Sequence, residues 1–215
     1  MSAVHQSSLP AAQADRRPQR LTLFLLAAVF ILPFAVGSGL FWTGWRPAKF
    51  GHHGQLIEPA RALPESGLRQ PDGRALPTSE LRGKWLLVLP IRDVCAASCR
   101  ENLEKMQQTQ LALSKEQNRV RRVLLSNRVS SAPDGERGAA WVVQLGELQQ
   151  RFPGLVVVRV DEAASADWRS VVDGDGGAIH VVDPLATVMM RYPDGQGARG
   201  VLKDLERLLK YSWIR

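Results

Sequence analysis

The sequence predicts an α/β fold, a mixed β-sheet with flanking helices, preceded by one transmembrane helix. Three observations carry that expectation. Residues 21–45 contain no charged side chain. Beyond them, short continuous apolar runs alternate with segments of helical period. Near the C-terminus two strand-like runs lie either side of Asp183-Pro184, ahead of an amphipathic segment. Alternating strands and helices imply a parallel sheet covered by helices, and a late strand pair with a short connection implies an antiparallel edge.

Residues 1–20 are polar, include Pro10 and Pro18, and show no apolar periodicity, so a disordered cytoplasmic tail is expected. The run 21–45, LTLFLLAAVFILPFAVGSGLFWTGW, exceeds the roughly 20 apolar residues that span a bilayer. Pro33 would kink this helix, which membrane helices tolerate, and Trp42 and Trp45 stand where an aromatic belt belongs. A cleaved signal peptide is the alternative, but the run is longer than a usual apolar region of that kind and no clear small-x-small site follows. Arg16, Arg17 and Arg20 precede the span, and Arg46 and Lys49 follow it. The positive-inside rule then puts the N-terminus in the cytoplasm and the remainder outside it; the expected location is the inner membrane, with the C-terminal domain in the periplasm. Residues 46–66, rich in Pro, Gly and His, read as a linker, and residues 67–215 as the folded domain.

Within that domain, Pro71-Asp72-Gly73 signals a turn. Residues 84–90 (KWLLVLP) are a short continuous apolar run, the mark of a strand buried on both faces. A helix follows Cys95 to about residue 116, with Leu103, Met106, Gln110 and Leu113 spaced by threes and fours. Residues 120–126 (VRRVLLS) read as a second strand. Residues 139–151 read as a helix with Trp141, Leu145 and Leu148 on one face, stopped by Pro153-Gly154. Strands at 155–160, 179–182 and 187–192 and a helix at 200–210 complete the chain. This order is the thioredoxin-like arrangement.

The formal charge of +7 is spread along the chain, with a small cluster at Arg119, Arg121 and Arg122 and no interleaved aromatic platform. That pattern argues against nucleic-acid binding and for attraction to an anionic membrane surface. The chain has two cysteines, Cys95 and Cys99. A disulfide between them closes so short a loop that it would add little as a staple, so chemistry is the better account. They lie where the first buried strand gives way to a helix. Unpaired N–H groups and partial positive charge there favour a thiolate. A spacing of four puts them on one helix face, with Cα atoms about 6 Å apart. That distance suits a disulfide or a soft metal ion held between two sulfurs. The bland alternative is a pair of small buried apolar residues. Asp93 would oppose a thiolate and Arg92 or Arg100 would favour one. His52 and His53 are adjacent and could bind metal weakly. No phosphate loop, nucleophile elbow or Ser/His/Asp order is present.

With one N-terminal span, a strand ending near Pro90, the Cys95-x-x-x-Cys99 spacing and the segment from Ile179-His-Val-Val-Asp-Pro184 to Met189-Met-Arg-Tyr-Pro193, the chain resembles the Sco/SenC family of thioredoxin-fold proteins. The resemblance covers residues 67–215, and the three-residue spacing is its most specific part. It implies a role in assembling the copper centre of cytochrome c oxidase, with Cu(I) on Cys95 and Cys99 and an oxidase subunit or another copper or thiol assembly factor as partner. The family completes its copper site with a histidine; that slot falls near Asp175, where this chain has none. His180, five positions on, is the remaining candidate third ligand, against a bland reading as a buried strand residue. Gly177 falls where thioredoxin-like sites usually carry a cis-proline. The missing histidine leaves open a general thiol-disulfide oxidoreductase of the cytochrome c maturation type, or a tethered binding module that makes no use of its thiols.

Overall fold

The computed structural model describes residues 17–44, 51–92, 94–126, 136–172 and 177–212. The chain divides into two units, Met1–Phe50 and Gly51–Arg215. In the first, α1 (Arg17–Trp42) contains residues 21–42 of the uncharged run, with Pro33 inside it, after a first turn that carries Arg17 and Arg20. Its segment Thr22–Trp42, 21 residues, is long and apolar enough to cross a membrane once. Phe24, Phe30, Phe34 and Phe41 are all exposed on it. A helix that is apolar all round suits a lipid solvent, not one buried face. The expected disordered tail, residues 1–20, is overturned at its end, where residues 17–20 continue α1; its residues 1–16, Trp45, and residues 46–50 of the expected linker lie outside the described residues.

The second unit comprises β1 (Gln55–Ala62), β2 (Leu68–Arg69), β3 (Ala75–Leu76), β4 (Trp85–Ile91), α2 (Ala97–Ala112), β5 (Val120–Ser126), α3 (Glu136–Arg151), β6 (Val156–Val160), α4 (Ser165–Val171), β7 (Ile179–Val182), β8 (Thr187–Tyr192) and α5 (Ala198–Tyr211). Among the described residues the strands form one eight-stranded sheet, ordered β1-β8-β7-β4-β5-β6-β2-β3. The central β4, β5 and β6 are parallel, and β7, β8 and β1 continue the sheet antiparallel on the β4 side. This is the thioredoxin-like mixed sheet with flanking helices.

All of β4 is buried because both faces of the sheet are covered. Trp85, Leu87, Leu89 and Ile91 point to one face, where Leu103 and Met106 of α2, Leu145 and Leu148 of α3, and Val201, Leu205 and Leu209 of α5 pack. Leu86 and Val88 point to the other, against Leu63, Leu76, Leu81, and Trp168 of α4. Two apolar layers on one strand follow from the period-2 alternation of side chains. They explain why an unbroken apolar run was needed there.

Three features depart from expectation. The stretch 46–66 is not all linker: β1 occupies Gln55–Ala62 and pairs with β8, Gln55 opposite Arg191 and Leu56 opposite Met190. As an edge strand with seven of eight residues exposed it needs no alternating pattern, and Pro59 is admissible at an edge. The Pro71-Asp72-Gly73 turn is flanked by strands of only two residues, too short to register as strands. Finally, α4 spans seven residues, fewer than a helical period needs to declare itself.

Candidate functional site

The site forms where β4 ends and α2 begins. Cys95 and Cys99 are joined in a disulfide, with Cα atoms 5.2 Å apart. The geometry differs from two residues on one helix face. The first residue of α2 is Ala97 and its N-cap is Ala96, so Cys95 lies just before the helix and Cys99 in its first turn. The first helical bond runs from the Arg100 N–H to the Ala96 carbonyl. The N–H groups of Ala97, Ser98 and Cys99 therefore lack partners within the helix, and the helix start that carries the dithiol has partial positive charge. On reduction this favours a thiolate.

Both cysteines are buried, Cys95 at 1% and Cys99 at 5% exposure, within the layer formed by α2, α3, α5 and the sheet. A buried loop residue must find partners for its own backbone. Gln144 of α3 provides both. Its Oε1 accepts from the Cys95 N–H at 2.9 Å, and its Nε2 donates to the Cys95 carbonyl at 3.0 Å. Asn102, one turn beyond Cys99 and 2% exposed, donates from Nδ2 to the Gly177 carbonyl at 2.7 Å and to Asp194 Oδ1 at 3.1 Å. Gly177 has φ +113°, and a Cβ there would stand 3.2 Å from the Asp194 carboxyl. Gly177, read from the sequence as standing where thioredoxin-like sites usually carry a cis-proline, adopts a conformation other residues rarely adopt and is tied to the dithiol helix through Asn102.

His180 is not brought to the cysteines. It is buried on β7, opposite Val88 of β4 and Arg191 of β8. Its neighbours Ile179 and Val181 join the cysteine layer, whereas Val182 joins the other. By alternation His180 faces the layer away from the disulfide, toward a cavity lined by Ile57, Arg61, Ser170 and Arg191. The reading of His180 as a third copper ligand is corrected accordingly. Asp93 and the Asp175 slot lie outside the described residues. Among the described residues, no group of three or more His, Cys, Asp or Glu side chains could hold a metal ion.

His52 and His53 belong to a structural arrangement. The His53 N–H donates to Asp204 Oδ2 at 2.7 Å, its ring Nδ1 meets Oδ1 at 3.2 Å, and the Gly54 N–H reaches Oδ2 at 2.9 Å. His52 Nδ1 lies 2.7 Å from the Gly54 carbonyl. The clustered arginines are likewise tied into the fold. Arg119 donates to the Leu209 and Ser212 carbonyls at the end of α5, and Arg121 to the Glu80 carbonyl. Arg122 is buried against Gln110 Oε1 and the Pro153 carbonyl, and burial lowers its pKa.

Sequence reasoning missed Gln144, Asn102, Asp194 and Asp204. Only Asp204 carried a signal: a carboxylate among Val201, Leu205 and Leu209 on the apolar side of a helix demands a partner.

Residues 85–212 match the family model described as transmembrane-like, thioredoxin-like, C-terminal domain. No curated protein sequence is significantly similar to the chain. Among solved structures, copper-bound yeast Sco1 is similar at TM-score 0.57 and 14% identity, over 73% of this chain and 96% of that one. Copper-bound ScoI of Bradyrhizobium japonicum is similar at 0.50 and 19%, over 69% and 99%. BsSco, a member of the Sco family of cytochrome c oxidase assembly proteins in which a disulfide switch was identified, is similar at 0.51 and 14%, over 74% and 99%.

Proposed function

We propose that this chain, which belongs to the transmembrane-like, thioredoxin-like C-terminal domain family, is a membrane-anchored Sco-like assembly factor for cytochrome c oxidase acting through thiol-disulfide exchange at Cys95 and Cys99. The observation that carries this is the disulfide itself. It joins the chain's two cysteines across the start of α2, where N–H groups without a partner in the helix favour a thiolate.

In the reduced protein the Cys95 thiolate attacks one sulfur of a target disulfide and expels the other as a thiolate, leaving a mixed disulfide. The Cys99 thiolate then attacks the Cys95 sulfur, releases the second target thiolate and regenerates the Cys95–Cys99 disulfide. The target gains two electrons, and a separate dithiol reductant must return them to this protein.

The copper-bound neighbours support a second reading, in which the reduced pair carries Cu(I) as cargo. Two soft thiolates in close register fit Cu(I), whereas Cu(II) prefers nitrogen or oxygen donors as well. With His180 on the other face, this chain's own contribution among the described residues is those two sulfurs.

Two measurements on the full-length chain in detergent separate the readings. Thiol trapping during incubation with a dithiol and then with a disulfide substrate reads exchange. Anaerobic Cu(I) titration of the reduced chain against a competing chelator, with a Cys95→Ser/Cys99→Ser control, reads cargo binding. Exchange without copper retention above the control supports the first reading alone, and tight one-to-one retention lost in the control supports the second. Absence of both outcomes overturns the proposal. An alkaline phosphatase reporter fused after Arg215 is expected to be active, as the periplasmic orientation requires; an inactive, stably expressed fusion would reverse that orientation.

A further inference from the structure

We infer that Gln144 of α3 is a positioning residue for the dithiol, holding Cys95 in the backbone geometry from which its sulfur and that of Cys99 can join. The inference rests on the exchange reading above and assigns part of the control of that exchange to a residue outside the Cys-x-x-x-Cys motif.

Cys95 lies between the end of β4 at Ile91 and the N-cap Ala96, so it has neither a strand ladder nor a helix to fix its backbone. Its N–H and carbonyl are instead both taken by one carboxamide, 49 residues away in sequence. The orientation of that carboxamide follows from its partners: an N–H can only be met by the amide oxygen, and a carbonyl only by the amide NH2. Two bonds from one planar group fix direction as well as position. Gln144 in turn sits one residue before Leu145, which with Leu148 anchors α3 in the core, so the clamp is mounted on a packed element.

The consequence is kinetic and thermodynamic. Closing the disulfide depends on the effective concentration of one sulfur at the other, which rises with pre-organisation. The Cys99 side is already ordered by the first turn of α2. The Cys95 side is ordered by Gln144. Loss of the clamp loosens Cys95 more when the disulfide is open than when it is closed, so it favours the dithiol and slows attack by Cys99 on a mixed disulfide.

The test compares full-length wild type, Gln144→Met, Gln144→Glu and Gln150→Met in detergent. Gln150 is an exposed residue of the same helix. Redox titration in glutathione buffers is expected to show the Gln144→Met disulfide at least tenfold easier to reduce, about 30 mV for a two-electron couple. The glutathione mixed disulfide should accumulate in that variant, and Gln150→Met should match wild type. Gln144→Glu keeps an acceptor for the Cys95 N–H but has no donor for the carbonyl, so an intermediate shift is expected. A purely structural role would lower the melting temperature of both redox states without moving the glutathione equilibrium. Constants within twofold of wild type in a folded Gln144→Met overturn the inference, and Gln144→Glu decides in the same way should Gln144→Met fail to fold. A wild-type chain that does not exchange with glutathione at all overturns the exchange reading itself, and this inference with it.

Discussion

The Tyr192 hydroxyl donates to Asp204 Oδ2 at 2.9 Å inside the core, joining β8 to α5. The same oxygen accepts the N–H groups of His53 and Gly54. One carboxylate thus holds three chain segments, including the entry to the folded unit. Burial alone would raise its pKa, but the bonds from Gly54, His53 and Tyr192 outweigh that and hold it below the ordinary carboxylate value. Burial, with the Asp204 carboxylate beside it, pushes the Tyr192 hydroxyl well above its usual range.

Replacing Asp204 with Ala should therefore destabilise strongly, by about 3–5 kcal/mol, because the donors lose their shared acceptor in the core. The pH dependence has a definite sign. A group whose folded pKa is depressed contributes stability above its unfolded pKa of about 3.9, and that contribution is lost as pH falls through the folded value. Urea midpoints of wild type and Asp204→Asn should differ most at neutral pH, and the gap should begin to narrow as pH falls below about 4. A gap that stays constant down to pH 3 would show that the carboxylate charge contributes nothing.

The two cysteines should separate by role. Reduced Cys99→Ser should trap a mixed disulfide through Cys95 with a disulfide substrate, since the resolving thiolate is gone. Cys95→Ser should accumulate none above background, because in the proposed exchange Cys95 is the attacking residue and Cys99 only resolves the mixed disulfide. Non-reducing electrophoresis and mass spectrometry of the adduct check this. Equal trapping by the two variants would remove the assignment of attack to Cys95.

His180 gives a negative prediction with a structural reason. Its side chain faces the layer containing Val182, while the cysteines belong to the layer containing Ile179 and Val181. His180→Asn should leave the Cu(I) affinity of the reduced chain within about twofold of wild type, a difference of under half a kcal/mol. A tenfold loss in a chelator competition would mean that the imidazole reaches the sulfurs after all.

Much of this fold was legible because buried parallel strands and amphipathic helices write their periods into sequence. The runs 120–126, 179–182 and 187–192 coincide with β5, β7 and β8. What escaped had no period to read. β1 is an exposed edge strand, β2 and β3 are two residues each, and α4 is two turns long. The dithiol was legible from its spacing and its place after a buried strand. Its supports were not, because Gln144 and Asn102 are ordinary polar residues on helices until the fold sets them against a particular carbonyl or N–H. His180 misled for a related reason. Proximity in sequence to the expected ligand slot says nothing about face, and on a strand one position decides it.

Gly177 allows the last prediction. Its φ of +113° lies in the region that L side chains avoid, and an added Cβ would press on the Asp194 carboxyl at 3.2 Å. Asp194 is itself held by Asn102 Nδ2, which also reaches the Gly177 carbonyl. Gly177→Ala must therefore either strain this backbone or push Asp194 away from Asn102. A destabilisation of about 1–3 kcal/mol is expected. Asn102→Ala alone leaves the buried Gly177 carbonyl short of a partner and should cost about 1–3 kcal/mol. Since the two substitutions break one shared arrangement, their effects should fall short of additive in a double-mutant cycle. Full additivity in denaturant unfolding would show that the glycine conformation and the Asn102 bonds are independent, and that Asn102 does not couple the dithiol helix to this loop.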